Sequence, residues 1–200
     1  MSNARNLANL LGTNTLVQPS NINLAGTFTF TGTVSGAGGE WIAPSNQIGT
    51  PNAATETQTG IASTAREVLM VWDNVAQSVA SPNPFLIRLG TSGGVKTSGY
   101  KTMATWQYDP SNINTAVVFS DSVVNIGNWG AGSKWSGFFY FWNSTGDQWV
   151  YRAEFEDSTG SYDVMMIYQG TVDMGGTLDR IEISVGSGTL NAGNISVYYK

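Results

Sequence analysis

Between residues 67 and 100 the chain reads E-V-L-M-V-W-D-N-V-A-Q-S-V-A-S-P-N-P-F-L-I-R-L-G-T-S-G-G-V-K-T-S-G-Y. Two apolar runs, 68–72 and 85–89, are separated by a Ser/Pro/Asn loop, and the second ends in Gly90-Thr91-Ser92-Gly93-Gly94. Apolar runs this short, bounded by turn residues, are strands rather than helices. The pattern continues: candidate strands at 67–75, 84–90, 115–120, 135–142, 148–156, 162–170, 178–185 and 194–199 alternate with turn signals such as Asp109-Pro110-Ser111, Ser144-Thr145-Gly146-Asp147 and Gly186-Ser187-Gly188. No later segment has a 3.6-residue period. Many short strands with regular turns predict an all-β fold, an antiparallel β-sandwich over residues 60–200. The clearest hairpin is 135–156, with its turn at 144–147 and with Phe139, Phe141, Tyr151 and Phe155 as core contacts. No period of 20 to 50 residues is present, which excludes a solenoid or propeller.

Composition decides what such a fold is suited to. Hydrophobic residues make up 41% of the 200, enough to build a core, whereas charged residues make up only 12%, about half the usual share of roughly 25%. Hydroxyls and amides supply the polarity, which suits a surface packed beside copies of itself. The nine Lys plus Arg are not clustered and the net charge is -5, against the needs of a phosphate-binding surface. With no Cys there is no disulfide framework or thiolate metal site, and with no His the usual general base is missing. No apolar run approaches the roughly 20 residues of a membrane span, and residues 1–11 lack the long apolar region of a signal peptide, so synthesis in a cytoplasm without export is expected.

The first 40 residues read as an anchor helix and an extended arm. Ala4, Leu7, Ala8 and Leu11 recur at helical spacing over residues 3–11, capped by Ser2 or Asn3 and ended by Gly12. Nine residues are too few for an isolated helix, so this stripe requires a partner: its own fold, sister chains or another protein. In A-G-T-F-T-F-T-G-T-V-S, Phe28, Phe30 and Val34 share one strand face and the threonines the other. Residues 41–59, with Pro44 and Pro51, read as a linker loop before the sandwich.

Residues that carry chemistry elsewhere are sparse. Glu154 and Glu156 share a strand face with Arg152 at a spacing of roughly 7 Å, within the range of glycosidase carboxylates, but a solvated face with an internal ion pair is the plainer reading. No G-x-S-x-G elbow occurs. Asp109, Asp121, Asp157 and Asp163 do not form a calcium loop and read as turn caps. The run from Gly90 to Lys96 lacks the G-x-x-x-x-G-K-[ST] spacing of a phosphate loop and reads as a β-turn. Catalytic residues, cofactors and metals are therefore expected to be none. Seven tryptophans remain, Trp41, Trp72, Trp106, Trp129, Trp135, Trp142 and Trp149. Flat rings stack on sugar faces as well as in cores, and Trp129, in a Gly-rich loop, is the candidate glycan contact.

T-G-I-A-S-T-A-R-E-V-L-M-V-W-D-N-V, F-L-I-R-L-G-T-S-G-G-V-K-T-S-G-Y and G-T-L-D-R-I-E-I-S-V-G-S-G-T-L-N-A-G-N-I-S-V-Y-Y resemble a β-sandwich domain of tailed-bacteriophage virion proteins, of the tail-fibre or appendage type. The resemblance covers residues 60–200. N-A-R-N-L-A-N-L-L-G and the V-Q-P-S-N-I stretch are similar to the N-terminal segments of short fibre-like phage proteins. The resemblance implies a jelly-roll-like sandwich, a homotrimer and an N-terminal anchor on capsid or tail, through Ala4, Leu7, Ala8 and Leu11, with Phe28, Phe30 and Val34 packing the arm. It implies a virion-surface location after assembly in the host cytoplasm, and no catalytic residue, nucleic-acid contact or membrane insertion. Two hundred residues leave no room for a long shaft, which points to a head fibre or capsid decoration protein. A carbohydrate-binding module for host surface glycans is the alternative.

Overall fold

The twelve strands among the described residues follow from the alternation that the sequence displays. In the computed structural model these residues are 40–79, 84–108, 112–119, 122–126, 133–157, 159 and 164–200, and they lie within one compact unit, Gly39–Lys200. The strands are β1 (Thr55–Gln58), β2 (Glu67–Gln77), β3 (Phe85–Thr91), β4 (Gly94–Val95), β5 (Tyr100–Tyr108), β6 (Asn112–Phe119), β7 (Val124–Ile126), β8 (Trp135–Thr145), β9 (Gln148–Asp157), β10 (Val164–Asp173), β11 (Arg180–Val185) and β12 (Leu190–Tyr199). They form two antiparallel sheets, so the chain is all-β as expected. One sheet has the order β12-β2-β8-β9-β10-β5-β6; the other has β1-β11-β3-β4, with β7 also paired to β3. The expected helix over 3–11 and the arm over 24–34 lie outside the described residues.

One core joins the two sheets. Val68, Met70, Trp72, Phe139, Phe141, Tyr151 and Phe155 from the larger sheet meet Phe85, Ile87, Leu89, Ile181 and Ile183 from the smaller, all buried. The Trp72 ring crosses between the sheets, edge-on to Phe85 at 5.5 Å and to Phe155 at 5.2 Å. Each fully buried aromatic or aliphatic side chain of this kind contributes about 1.5–3 kcal/mol. The four aromatics expected inside the 135–156 hairpin are all there, and the hairpin closes at Gly146, with φ +53°.

Two glycines let the aromatic core close. Gly137 stands between Trp72 of β2 and Phe155 of β9 in the ladder, and a Cβ there would come within 2.7 Å of the Phe155 ring. At Gly170 a Cβ would come within 2.5 Å of the Tyr151 hydroxyl. That buried hydroxyl lies 2.6 Å from Thr102 Oγ1, which also donates to the Ser122 carbonyl at 3.1 Å. Burial pushes the Tyr151 phenol up to about 12, against the lowering effect of its bond to Thr102.

Residues 41–59, expected as a linker loop, are stitched to the sheets instead. Ile42 exchanges both backbone hydrogen bonds with Tyr199, at 2.8 and 2.9 Å, and Gly49 does so with Ile195. Between them the Gln47 amide takes the place of a backbone partner: it donates to the Val197 carbonyl at 2.6 Å and accepts from the Val197 amide at 2.7 Å. β1 then pairs with β11, Thr55 opposite Ser184 through Gln58 opposite Ile181. The physical reason is that edge backbone groups must be satisfied, and polar Gln, Asn and Thr side chains do this without an apolar pattern.

β5 was not among the expected strands, yet it lies between β10 and β6. Its inward residues Tyr100, Thr102 and Ala104 are buried and Trp106 packs partly buried against the core, but Thr102 and Ala104 leave a small, polar gap in the apolar pattern. The Gly-rich segment after β3 is a β-turn as expected: Thr91 pairs with Gly94, and the Gly93 amide donates to Thr91 Oγ1 at 3.2 Å. The buried Tyr100 hydroxyl secures this turn, accepting from the Leu89 amide at 2.8 Å and donating to the Lys96 carbonyl at 3.0 Å. Burial raises its phenol pKa above the ordinary value, partly offset by the bond to Leu89.

Candidate functional site

β8 is aromatic on both faces. Trp135, Phe139 and Phe141 enter the core, while the intervening Phe138, Tyr140 and Trp142 lie on the opposite face of the seven-stranded sheet, partly exposed. An antiparallel sheet with one solvated face ordinarily shows polar residues there. Here the outer ladder rows run Tyr198–Leu69–Tyr140–Arg152–Gln169–Met103 and Ser196–Val71–Phe138–Glu154–Ile167–Thr105. A third row, Glu67–Trp142–Val150–Thr171–Lys101, borders them. Met103 is 54% exposed and Met165 45%, so the face mixes exposed apolar and aromatic side chains with polar and charged ones.

The aromatic rings are held in place from one side. Trp41 meets Tyr140 edge-on at 6.3 Å, and Tyr140 lies 5.5 Å from Trp142 at a 33° tilt. The Tyr140 hydroxyl donates to Glu67 Oε2, which also receives the Lys200 ammonium at 3.0 Å. Lys200 Nζ in turn lies 4.9 Å from the Trp41 ring centroid, within cation–π range. The Tyr140 hydrogen bond, and then Lys200, hold the Glu67 carboxyl below its ordinary value. Burial, and then Glu67, push the Tyr140 phenol up to about 12. A ring fixed this way loses little freedom when something stacks on it, which lowers the cost of binding.

Two shallow depressions flank Trp142. One, of about 460 Å³, is lined by Glu67, Phe138, Tyr140, Trp142 and Arg152. The other, of about 530 Å³, lies toward β10 and β5, where Lys101, Met103, Gln169 and Thr171 face Trp142 and Arg152. Both fall in the size range of small-ligand sites. Together they form a platform of flat rings edged by hydrogen-bonding groups.

Of the residues singled out in the sequence, Ala4, Leu7, Ala8, Leu11, Phe28, Phe30, Val34 and Trp129 lie outside the described residues. Glu154 and Glu156 are on the outer face with Arg152, and Arg152 binds Glu154 Oε1 through Nε at 2.8 Å and Nη2 at 2.7 Å. They stand side by side on one strand of an open sheet, not across a cleft. Asp157 is buried and caps its own turn, accepting from the Thr159 amide at 2.9 Å and from the Thr159 hydroxyl; Asp109, Asp121 and Asp163 lie outside the described residues. Among the described residues no group of three or more Asp or Glu could hold a metal ion. Trp72, Trp135 and Trp149 are core residues, whereas Trp41, Trp106 and Trp142 are partly exposed. The platform was missed as a unit, although F-F-Y-F-W at 138–142 carries its signal: an aromatic at every position puts rings on both faces of the strand.

No protein-family model matches the chain, and no curated protein matches it.

Proposed function

We propose that the chain is a non-enzymatic structural protein of a bacteriophage virion: a trimeric fibre or capsid decoration protein, anchored by its N-terminal segment, whose jelly-roll-like sandwich is displayed outward for attachment to the host surface. The supporting observation is the outer face of the seven-stranded sheet, where Phe138, Tyr140 and Trp142 present aromatic surface beside Arg152 and Gln169. An exposed apolar area of this kind on a protein with few charges marks a contact surface. The second reading, a carbohydrate-binding module acting by itself, draws on the same aromatic face; the two differ in where the protein resides.

Immunogold labelling of purified particles of the encoding phage, with an antibody to residues 60–200, separates them. Surface labelling is expected, lost from particles assembled with a chain lacking residues 1–12. Unlabelled particles would overturn the virion reading, and labelled particles from the truncated chain would overturn the anchor. Light scattering of the purified full chain is expected to give three times the chain mass, and a monomer would contradict the trimer.

A further inference from the structure

We propose that the groove between Trp142, Arg152 and Lys101 binds a carboxylated sugar. This deepens the attachment reading, on which it rests for a ligand borne by a cell surface. Lys101, Met103, Trp142, Val150, Arg152 and Gln169 line the groove, and among the described residues no carboxylate does. That is notable in a chain with fourteen Asp plus Glu against nine Lys plus Arg. Lys101 stands on β5 and Arg152 on β9, with β10 between them. Two strand spacings across the sheet and two residues along it put their Cα atoms about 12 Å apart, and both side chains line the groove that a sugar ring with its carboxylate would fill. Trp142 supplies a flat wall whose electron-rich face meets the apolar C–H face of a pyranose. Gln169, exposed between the cations in the same ladder row as Arg152 and Met103, offers an amide donor and acceptor to the ring hydroxyls.

The charge count selects among anions. Arg152 spends Nε and Nη2 on Glu154, which fixes the guanidinium and cancels much of its charge, leaving Nη1 outside that pair. The groove therefore presents about one net positive charge, that of Lys101. One carboxylate per sugar matches this better than a densely sulfated or phosphorylated polymer. The surrounding strands are hydrogen-bonded on both sides, so the groups are presented by a rigid sheet rather than by loops.

Isothermal titration of the full chain with tetragalacturonic acid and with sialyllactose, beside their neutral counterparts (the tetragalacturonate methyl ester and lactose), tests this. At least one acidic probe is expected to bind, and its neutral counterpart at least tenfold more weakly, a difference of about 1.4 kcal/mol. Lys101→Gln and Trp142→Ala are each expected to weaken the acidic probe about tenfold while circular dichroism and melting show the fold retained. Absence of binding by both acidic probes at about 10 mM, equal binding of acid and neutral counterpart, or undiminished binding by Lys101→Gln overturns the proposal. Acidic-probe binding by a protein absent from particles would uphold this groove and remove the virion reading; labelled particles bearing a protein that binds neither probe would do the reverse.

Discussion

Gly137→Ala is a one-carbon change with a large expected penalty. Gly137 lies on the inward face of β8, opposite Trp72 on one side and Phe155 on the other. A Cβ built there comes 2.7 Å from Phe155 Cδ1, 2.8 Å from Phe155 Cα, and closer still to the Glu154 carbonyl oxygen, whereas real Cβ atoms keep at least 3.0 Å. Two of these three atoms are backbone, so no rotamer change relieves the contact: β8 and β9 must part. Overpacking of a tight core costs about 1–3 kcal/mol, and a ladder hydrogen bond lost to the separation adds roughly 1 kcal/mol. The Trp72–Phe155 contact, at 5.2 Å, is disturbed as well. A total of about 3 kcal/mol corresponds to a fall in Tm of roughly 6–12 °C for a domain of this size. The control is Gly146→Ala in the β8–β9 turn, where a Cβ meets nothing within 4 Å but φ is +53°; the left-handed conformation costs an alanine about 1–2 kcal/mol. Differential scanning calorimetry of both variants decides. If Gly137→Ala melts with the wild type, or above Gly146→Ala, the argument from strand spacing is refuted.

Three further outcomes are expected. Tyr151→Phe removes the phenol that lies 2.6 Å from Thr102 Oγ1 in the core and should lower stability in urea by about 1–2 kcal/mol; an unchanged midpoint would count against that buried bond. Tyr100, Tyr151 and Tyr168 all have phenol pKa values raised chiefly by burial, Tyr151 to about 12. Because the folded values exceed the unfolded one, their contribution is complete below about pH 10 and is lost as pH climbs from there toward 12; phenolate absorbance should therefore rise together with loss of fold, and separate transitions would contradict this. Glu67 has the opposite sign: its lowered pKa gives stability that is present above the ordinary carboxylate range and is lost as pH falls through the lowered value. The side chain is 28% exposed and still reached by solvent, so screening keeps the effect below about 1 kcal/mol, and Glu67→Gln should flatten the acid limb of the melting profile by that amount.

The large apolar strands were legible because their inward residues are bulky and regularly spaced: β2, β3, β8, β9 and β11 were placed by Met70, Ile87, Phe139, Phe155 and Ile183. β5 and β1 were not, for a shared reason. Thr102 is buried because its hydroxyl bonds to Ser122 and Tyr151. Gln58 is buried with its amide donating to Asn46 and Thr59. Gln58 Oε1 is buried without a hydrogen-bond partner among the described residues, so only half of that amide is satisfied. A polar residue buried inside the fold reads in the sequence as a loop residue. The same limit hid the role of Gln47, whose pairing with Val197 spans 150 positions. The candidate site lay half in view. Each tryptophan was visible, but which ones face outward depends on strand phase. At 135–142 the phase was in hand, because Phe139 and Phe141 were expected in the core and are there, which turns Phe138, Tyr140 and Trp142 outward; the cross-strand neighbours Lys101, Arg152 and Gln169 come from pairing that no local pattern encodes.

The proposal that the outer face of the seven-stranded sheet attaches to a cell surface is tested most directly by flow cytometry of fluorescently labelled protein on cells of the proposed host. The wild-type chain is expected to bind saturably, and a Tyr140→Ala, Trp142→Ala variant that melts within a few degrees of it to lose most of that binding. Saturable binding retained in full by the double variant would contradict the account.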